Sequence, residues 1–460
     1  MLMEGRGQQG TRAGDGTKST SPQVETFSPK VRALADRARR IRNEPLKTLM
    51  HMVDREWLQE AWKRLRKGGA AGIDHVTTAD YEQALGANLD HLLHQLQHNQ
   101  YRATPVRRVY IPKADGRLRP LGILTVEDKL VQRAIELILT PIYEQEFLPM
   151  SYGFRPGRSA HQAIAAVKEV IATKPVGWVV DVDLQSFFDE LDHSHLRKFL
   201  QHRIADQRIL RLIGKWLTAG VLEEGKLEKV ASGAPQGAGI SPLLANVYLH
   251  YVLDLWVTKI APKYLRGEIW AFRYADDVLF CFHYHSDALK FLTALRKRLA
   301  KFGLRLNEAK TKLCRFGRFA ERDRRERGEA RATFTFLGFT FYNRLSRQGK
   351  YTVGTKTEGK RLRGCMTRLT QWCKENRHQA VDWQARYLNA VLRGHYYYYG
   401  VTGNFRAVAA FYRHTVRQWH RYLSRRSQRG YILWEKFEGI LARHPLLRPT
   451  LPHSIYVPRP

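Results

Sequence analysis

Two stretches of the chain place carboxylates among residues that normally form a core. One reads Arg273-Tyr274-Ala275-Asp276-Asp277-Val278, inside a strand-like run over 269–282. The other reads Trp178-Val179-Val180-Asp181-Val182-Asp183-Leu184 and continues through Ser186-Phe187-Phe188-Asp189. Adjacent acids among Trp, Phe, Val and Leu repel each other and lose hydration. A divalent cation removes both costs. If Asp276 and Asp277 occupy the turn of a β-hairpin, both carboxylates are presented to Mg²⁺, a hard ion that prefers oxygen ligands. A solvated Asp-Asp turn is the plainer reading of that pair taken alone. A third carboxylate beside it would complete a two-metal site, with ions ~3.5–4 Å apart, that activates a 3′-hydroxyl and stabilises leaving pyrophosphate. Asp181 and Asp183 share one face of a strand, whose side chains alternate with a period of two.

The elements expected to position these acids are strands over 177–184 and 269–282. A long helix is expected over 126–147. Upstream, the spacing Leu46, Leu49, Val53, Trp57, Ala61, Leu65 predicts one amphipathic helix that stops at Gly68-Gly69. A basic helix is expected over 31–42. Residues 106–111 and 118–124 read as a hairpin around Lys113-Ala114-Asp115-Gly116, because Asp-Gly suits a tight turn. Residues 1–30 are rich in Gly, Ser, Thr and Gln without an apolar period and read as disordered.

Charge narrows the partner. The 460 residues include 77 Lys and Arg against 43 Asp and Glu, a formal net charge of +34, which calls for a polyanion. Hydrophobic residues at 43% supply a core, so the chain is not a basic disordered tail. Four cysteines form neither a metal knuckle nor a disulfide framework, and a reducing, intracellular setting is expected. No apolar run approaches the ~20 residues that span a bilayer, and the N-terminus has no secretory pattern. Residues 343–460 carry 23 Lys and Arg against five Asp and Glu, just over half of the whole excess. That segment reads as helical, with tyrosines 396–399, Phe405, Tyr412, Trp419 and Tyr422 among its arginines. Aromatic density with one-sided charge favours a nucleic-acid surface. Arg393, Arg406, Arg413 and Arg417 are its candidate contacts.

The Tyr274-Ala275-Asp276-Asp277 box and the strand end from Asp183 to Phe188 resemble palm motifs of reverse transcriptases. Further stretches match in order: Ile111-Pro112-Lys113 to Arg119, Leu121-Gly122-Ile123, and the run from Ser151-Tyr152-Gly153-Phe154 to Ser159. They continue with Pro235-Gln236-Gly237, Ile240-Ser241-Pro242 to Asn246, and Phe336-Leu337-Gly338-Phe339. Over roughly residues 45–430 the chain resembles the reverse transcriptase/maturase encoded by bacterial group II introns. The implied fold is α+β: a right-hand polymerase with fingers and an antiparallel palm sheet, then an α-helical thumb/maturase domain. The implied domains are a basic or disordered extension over 1–45, fingers and palm over 46–345, thumb/maturase over 346–430, and a basic tail over 431–460.

By that resemblance, Asp183, Asp276 and Asp277 are the catalytic ligands of two Mg²⁺ ions. Asp183 is preferred to Asp181 because Phe188 falls five positions later, where the family places a ring that clashes with a 2′-hydroxyl. Lys113 and Arg119 would grip the dNTP triphosphate, and Gln236 would pack near the nucleotide. Lys310, with Lys312 close by, would protonate pyrophosphate. The hairpin at 336–339 would grip the primer end, and Gly72-Ile73-Asp74 would help hold the template. Arg393, Arg406, Arg413 and Arg417 would meet RNA or a primer–template duplex. Expected partners are template and intron RNA, a DNA primer or target, and dNTPs, in a bacterial cytoplasmic ribonucleoprotein that assists splicing and retrohoming. Leu124 and Ala238 depart from the family's usual Pro and Gly without removing a functional group. Paired CxxC motifs of a C-terminal nuclease domain are not found, so second-strand cleavage is not expected of this chain. Two other roles share these motifs: a maturase that only folds RNA, and a reverse transcriptase domesticated for defence or repair.

Overall fold

The computed structural model describes residues 29–42, 44–112, 118–223, 226–228, 233, 239–327, 332–346, 348–427 and 430–453. The disorder expected over 1–30 falls outside them except at Pro29 and Lys30, which open the helix Pro29–Arg40; the Asp115-Gly116 turn, Lys113 and Gln236 lie outside them, as does the side chain of Arg119. The described strands, in chain order, are β1 (Val106–Pro112), β2 (Leu118–Ile123), β3 (Trp178–Asp183), β4 (Val221–Glu223), β5 (Lys226–Glu228) and β6 (Ile269–Tyr274). They continue with β7 (Asp277–Phe282), β8 (Lys312–Arg315), β9 (Thr333–Phe336), β10 (Phe339–Leu345) and β11 (Tyr351–Thr357). Helices and strands are mixed throughout. The chain divides into two compact units, residues 1–163 with 182–312 and residues 164–181 with 313–460.

In the first unit, β1 pairs antiparallel with β2, setting Arg119 opposite Ile111, and the sheet order is β2-β1-β4-β5. A second sheet has the order β6-β7-β3-β8; of β3 and β8 this unit contains Val182, Asp183 and Lys312. The helix Val126–Tyr143 starts on Thr125, whose hydroxyl accepts from the Asp128 amide, and it is buried along most of its length. The expected amphipathic helix is shorter than its apolar spacing suggested, running over Arg55–Lys63. Two carboxylates explain the late start. Asp206 accepts from the amides of Leu49 and Met50, both at 2.9 Å, and holds that stretch out of the helix. Asp54 then caps the helix by accepting from Trp57 N–H. Leu46, Leu49 and Val53 are buried all the same, so the spacing marked a core face rather than one continuous helix.

In the second unit, β11-β10-β9 form an antiparallel sheet. The helices Gly359–Glu375, Val381–Tyr399, Phe405–Leu423 and Trp434–Arg443 follow it. Asn404 ties sheet to helices: its amide accepts from Thr357 N and donates to Thr357 Oγ1 and Tyr399 O, at 2.8–2.9 Å. Two expectations change here. The segment after 343 is not helical throughout, because the alternation Tyr351, Val353, Thr355, Thr357 suits a strand and pairs with β10. Residues 431–460 are not merely a basic tail, since Trp434–Arg443 is helical and buries Phe437 edge-on against Trp419. Of the aromatic residues singled out above, Tyr396, Tyr399 and Trp419 are core, Tyr398, Tyr412 and Tyr422 are half-buried, and Tyr397 and Phe405 are exposed.

Candidate active site

Burial pushes the Asp276–Asp277 pair to a turn. β7 continues from Asp277 into Val278, Leu279, Phe280, Cys281 and Phe282, all fully buried. Each such Val, Leu or Phe contributes roughly 1.5–3 kcal/mol over an exposed one, which fixes the strand's register. Tyr274 pairs with Asp277, leaving Ala275 and Asp276 as a two-residue loop. Ala275 has a left-handed φ of +56°, is buried, and leaves Asp276 half-buried and Asp277 exposed. The expected single strand over 269–282 is therefore a hairpin with its acids at the tip. The Tyr274 ring lies 6.2 Å from that of Phe154, and burial followed by the charge of Asp277 raises its phenol pKa.

A buried arginine braces that tip. Arg273 is 0% exposed and makes a two-pronged ion pair with Asp254, Nε to Oδ1 at 2.7 Å and Nη2 to Oδ2 at 2.6 Å. Its Nη1 donates to Asn246 Oδ1 at 2.8 Å and to Ala275 O at 3.2 Å. Asn246 in turn donates to Gly153 O at 2.7 Å. A Cβ on Gly153 would lie 2.4 Å from Ala275 N, so only glycine permits the close approach. Asp254 ends a π-helical turn, His250–Asp254, between the helices Ser241–Leu249 and Leu255–Lys259. Such bulges re-aim one side chain without breaking the helix.

Asp183 is held by its backbone. Asp183 O accepts from Asn307 N at 2.8 Å, and Gln185 N donates to Arg305 O at 2.9 Å. Its carboxylate takes Lys310 Nζ at 3.2 and 3.4 Å. The lysine and aspartate side chains are 55% and 33% exposed, so the pair contributes at most about 1 kcal/mol and yields readily to a stronger cation. Beyond Asp183, Ser186 takes φ +43° and starts the short helix Phe187–Glu190. Phe187 is buried and Phe188 half-buried, with rings 5.3 Å apart edge-to-face. Gly233, the one described residue of the glycine-rich loop over 232–237, has φ +93° and packs on this helix. A Cβ there would sit 2.9 Å from Phe188 O and Asp189 O, and Gly233 N donates to Leu191 O at 2.8 Å. Gly233 is thus anchored beside Phe188.

The structure brings Lys310 to Asp183 and sets Asp276 beside Asp277. Among the described residues no three His, Cys, Asp or Glu side chains gather as a ready-made metal site. The donor set still fits a hard divalent ion: the candidate ligands are all carboxylates, and Asp183 already draws the nearest ammonium. In the second unit Arg393, Arg406, Arg413 and Arg417 are exposed, without acidic partners among the described residues. Arg406, Arg413 and Arg417 recur at seven and four residues, so they line one stripe of the helix Phe405–Leu423.

A family model described as reverse transcriptase (RNA-dependent DNA polymerase) matches residues 111–341, half of the chain, from β1 into β10. The chain belongs to the reverse transcriptase family. Protein YkfC of Escherichia coli is 32% identical over 375 residues, 74% of this chain and 92% of that protein. The group II intron-encoded protein LtrA of Lactococcus lactis is 42% identical over 176 residues, 38% of this chain but only 29% of LtrA. An uncharacterised 91 kDa protein in the cob intron of Schizosaccharomyces pombe is 35% identical over 214 residues, 46% of this chain and 26% of that protein. The reverse transcriptase described here is thus of the group II intron type, an RNA-directed DNA polymerase whose family uses divalent metal ions. No described helix is long and apolar enough to cross a membrane.

Within this reverse transcriptase, sequence reasoning passed over Arg273 and Asp254, although Arg273 stands beside the acidic box. The signal was present. An arginine inside an apolar strand needs a buried acid, and Asp254 is a lone carboxylate in an apolar helical run.

Proposed function

We propose that the chain polymerises DNA on an RNA template by two-metal nucleotidyl transfer, and that its basic C-terminal segment, residues 343–460, binds the intron RNA that it helps to splice and mobilise. In this reading residues 46–345 are fingers and palm, and 346–430 are the thumb/maturase region. The observation that carries it is the braced hairpin that puts Asp276 and Asp277 at an accessible turn in a reverse transcriptase chain. Asp183, Asp276 and Asp277 hold the metal. Bound there, two Mg²⁺ ions supply charge stabilisation for the attacking 3′-oxygen and the leaving pyrophosphate. Lys113 and Arg119 grip the triphosphate, an ammonium and a guanidinium fork both suiting phosphate oxygens. Phe188 lies under the sugar and excludes a 2′-hydroxyl, while Gln236 orients the nucleotide. Lys310, once released from Asp183, gives its proton to a pyrophosphate oxygen. Arg393, Arg406, Arg413 and Arg417 hold RNA or duplex through its backbone, as the closed major groove of A-form RNA requires.

Primer extension with mixed nucleotides tests the sugar discrimination. Phe188→Ala is expected to incorporate rNTPs that the wild type rejects; unchanged discrimination would assign the gate to another residue. The intron arm is tested by splicing of the RNA that surrounds the reading frame. Protein-dependent acceleration at moderate salt is expected, and no acceleration would restrict the function to DNA synthesis.

A further inference from the structure

In the second unit three aromatic side chains stand together at the surface, outside the proposed catalytic set. Trp372 comes from the helix Gly359–Glu375; Trp383 and Tyr387, one turn apart, come from Val381–Tyr399. The Trp372 and Tyr387 rings stack at 4.0 Å and 6°, and the Trp383 ring lies 5.6 Å from Trp372 at 23° and 6.3 Å from Tyr387 at 20°. All three rings are thus close to parallel. Trp383 and Tyr387 are 42% and 39% exposed, a large apolar area left in water.

The surroundings are basic. Arg361, Arg368 and Trp372 recur at seven and four residues, so the two arginines run along the same stripe of the helix as the tryptophan. Lys374, Arg377 and Arg386 flank the rings in sequence. The acids nearby are already engaged: Glu375 accepts from Gln371 at 2.6 Å, and Asp382 pairs with Arg386 at 2.8 Å and lies 3.7 Å from His444. Parallel rings with a cationic rim offer a face for bases and a track for phosphates. In a duplex both faces of each base are already covered, so only splayed, single-stranded nucleotides can use such a face.

We infer that Trp372, Trp383 and Tyr387 form a stacking platform for unpaired bases of RNA. The inference rests on the reading of this C-terminal segment as RNA-binding and adds the class of RNA it selects. The test uses the full chain and three probes: an unstructured RNA oligonucleotide, an RNA duplex, and an abasic oligonucleotide with the same backbone. Trp383→Ala/Tyr387→Ala is expected to weaken binding of the unstructured RNA roughly 10- to 100-fold, with duplex and abasic affinities unchanged. Trp383→Phe/Tyr387→Phe keeps most of the affinity, and wild-type tryptophan emission is quenched only by the unstructured RNA. Equal losses on all three probes, or no loss on the first, would overturn the platform while leaving RNA binding intact. A wild type that binds none of them would overturn RNA binding itself, and the platform with it. Should the double variant fail to fold, Trp383→Ala alone carries the same comparison.

Discussion

An aspartate in solvent stands four positions along the chain from an arginine sealed off from it, and that contrast defines the hairpin. Asp277 is exposed because β7 buries every residue after it; Arg273 is buried because Asp254, Asn246 and Ala275 O take up its donors. A buried pair stripped of one partner typically costs 3–5 kcal/mol, whereas replacing both partners by apolar groups is far cheaper. Arg273→Met is therefore expected to lower unfolding free energy by about 3–5 kcal/mol in denaturant titrations, with DNA synthesis impaired through the loosened turn. Adding Asp254→Leu should recover part of the stability. A neutral single variant would mean that the brace does not hold the tip.

At the scale of elements, the second unit contains a titratable switch of stability. His395 is buried in the helix Val381–Tyr399, stacks on Phe411 at 4.0 Å, and its Nε2 has no hydrogen-bond partner among the described residues. Burial lowers its pKa from the ordinary 6.5 to about 4. An unfolded histidine binds a proton below about 6.5 and the folded one does not until about 4, so stability present above pH 6.5 is lost as pH falls through that window. At pH 5 the loss amounts to about 2 kcal/mol. His395→Phe should lose about that much less than the wild type between pH 7 and 5 by chemical denaturation; parallel losses would contradict the assignment. Elements were unevenly legible in the sequence. The hairpin at Asp276 and Asp277 was legible only as one alternative to a continuous strand, because adjacent acids interrupt an otherwise apolar run. β11 and the helix Trp434–Arg443 were missed because the charge excess of the last 118 residues dominated the reading of that segment while each element is short, and the start of Arg55–Lys63 was set by Asp206, far away in sequence. Arg273 was hidden for a similar reason, since its partner Asp254 lies 19 residues away.

For the whole molecule, the excess of +34 is spread unevenly, with 23 Lys and Arg against five acids in the last 118 residues. If the stripe of Arg406, Arg413 and Arg417 together with Arg393 neutralises phosphates, RNA affinity falls with added salt at a log–log slope of about −3. Replacing the three stripe arginines by alanine should flatten that slope by about 2. A salt-insensitive affinity would contradict a backbone contact. The central claim concerns the acids, and one measurement tests it most directly: single-turnover dNTP incorporation on an RNA template with Mg²⁺, made alongside RNA affinity. Asp276→Asn/Asp277→Asn is expected to abolish incorporation while RNA affinity persists; sustained synthesis by that variant would contradict the account.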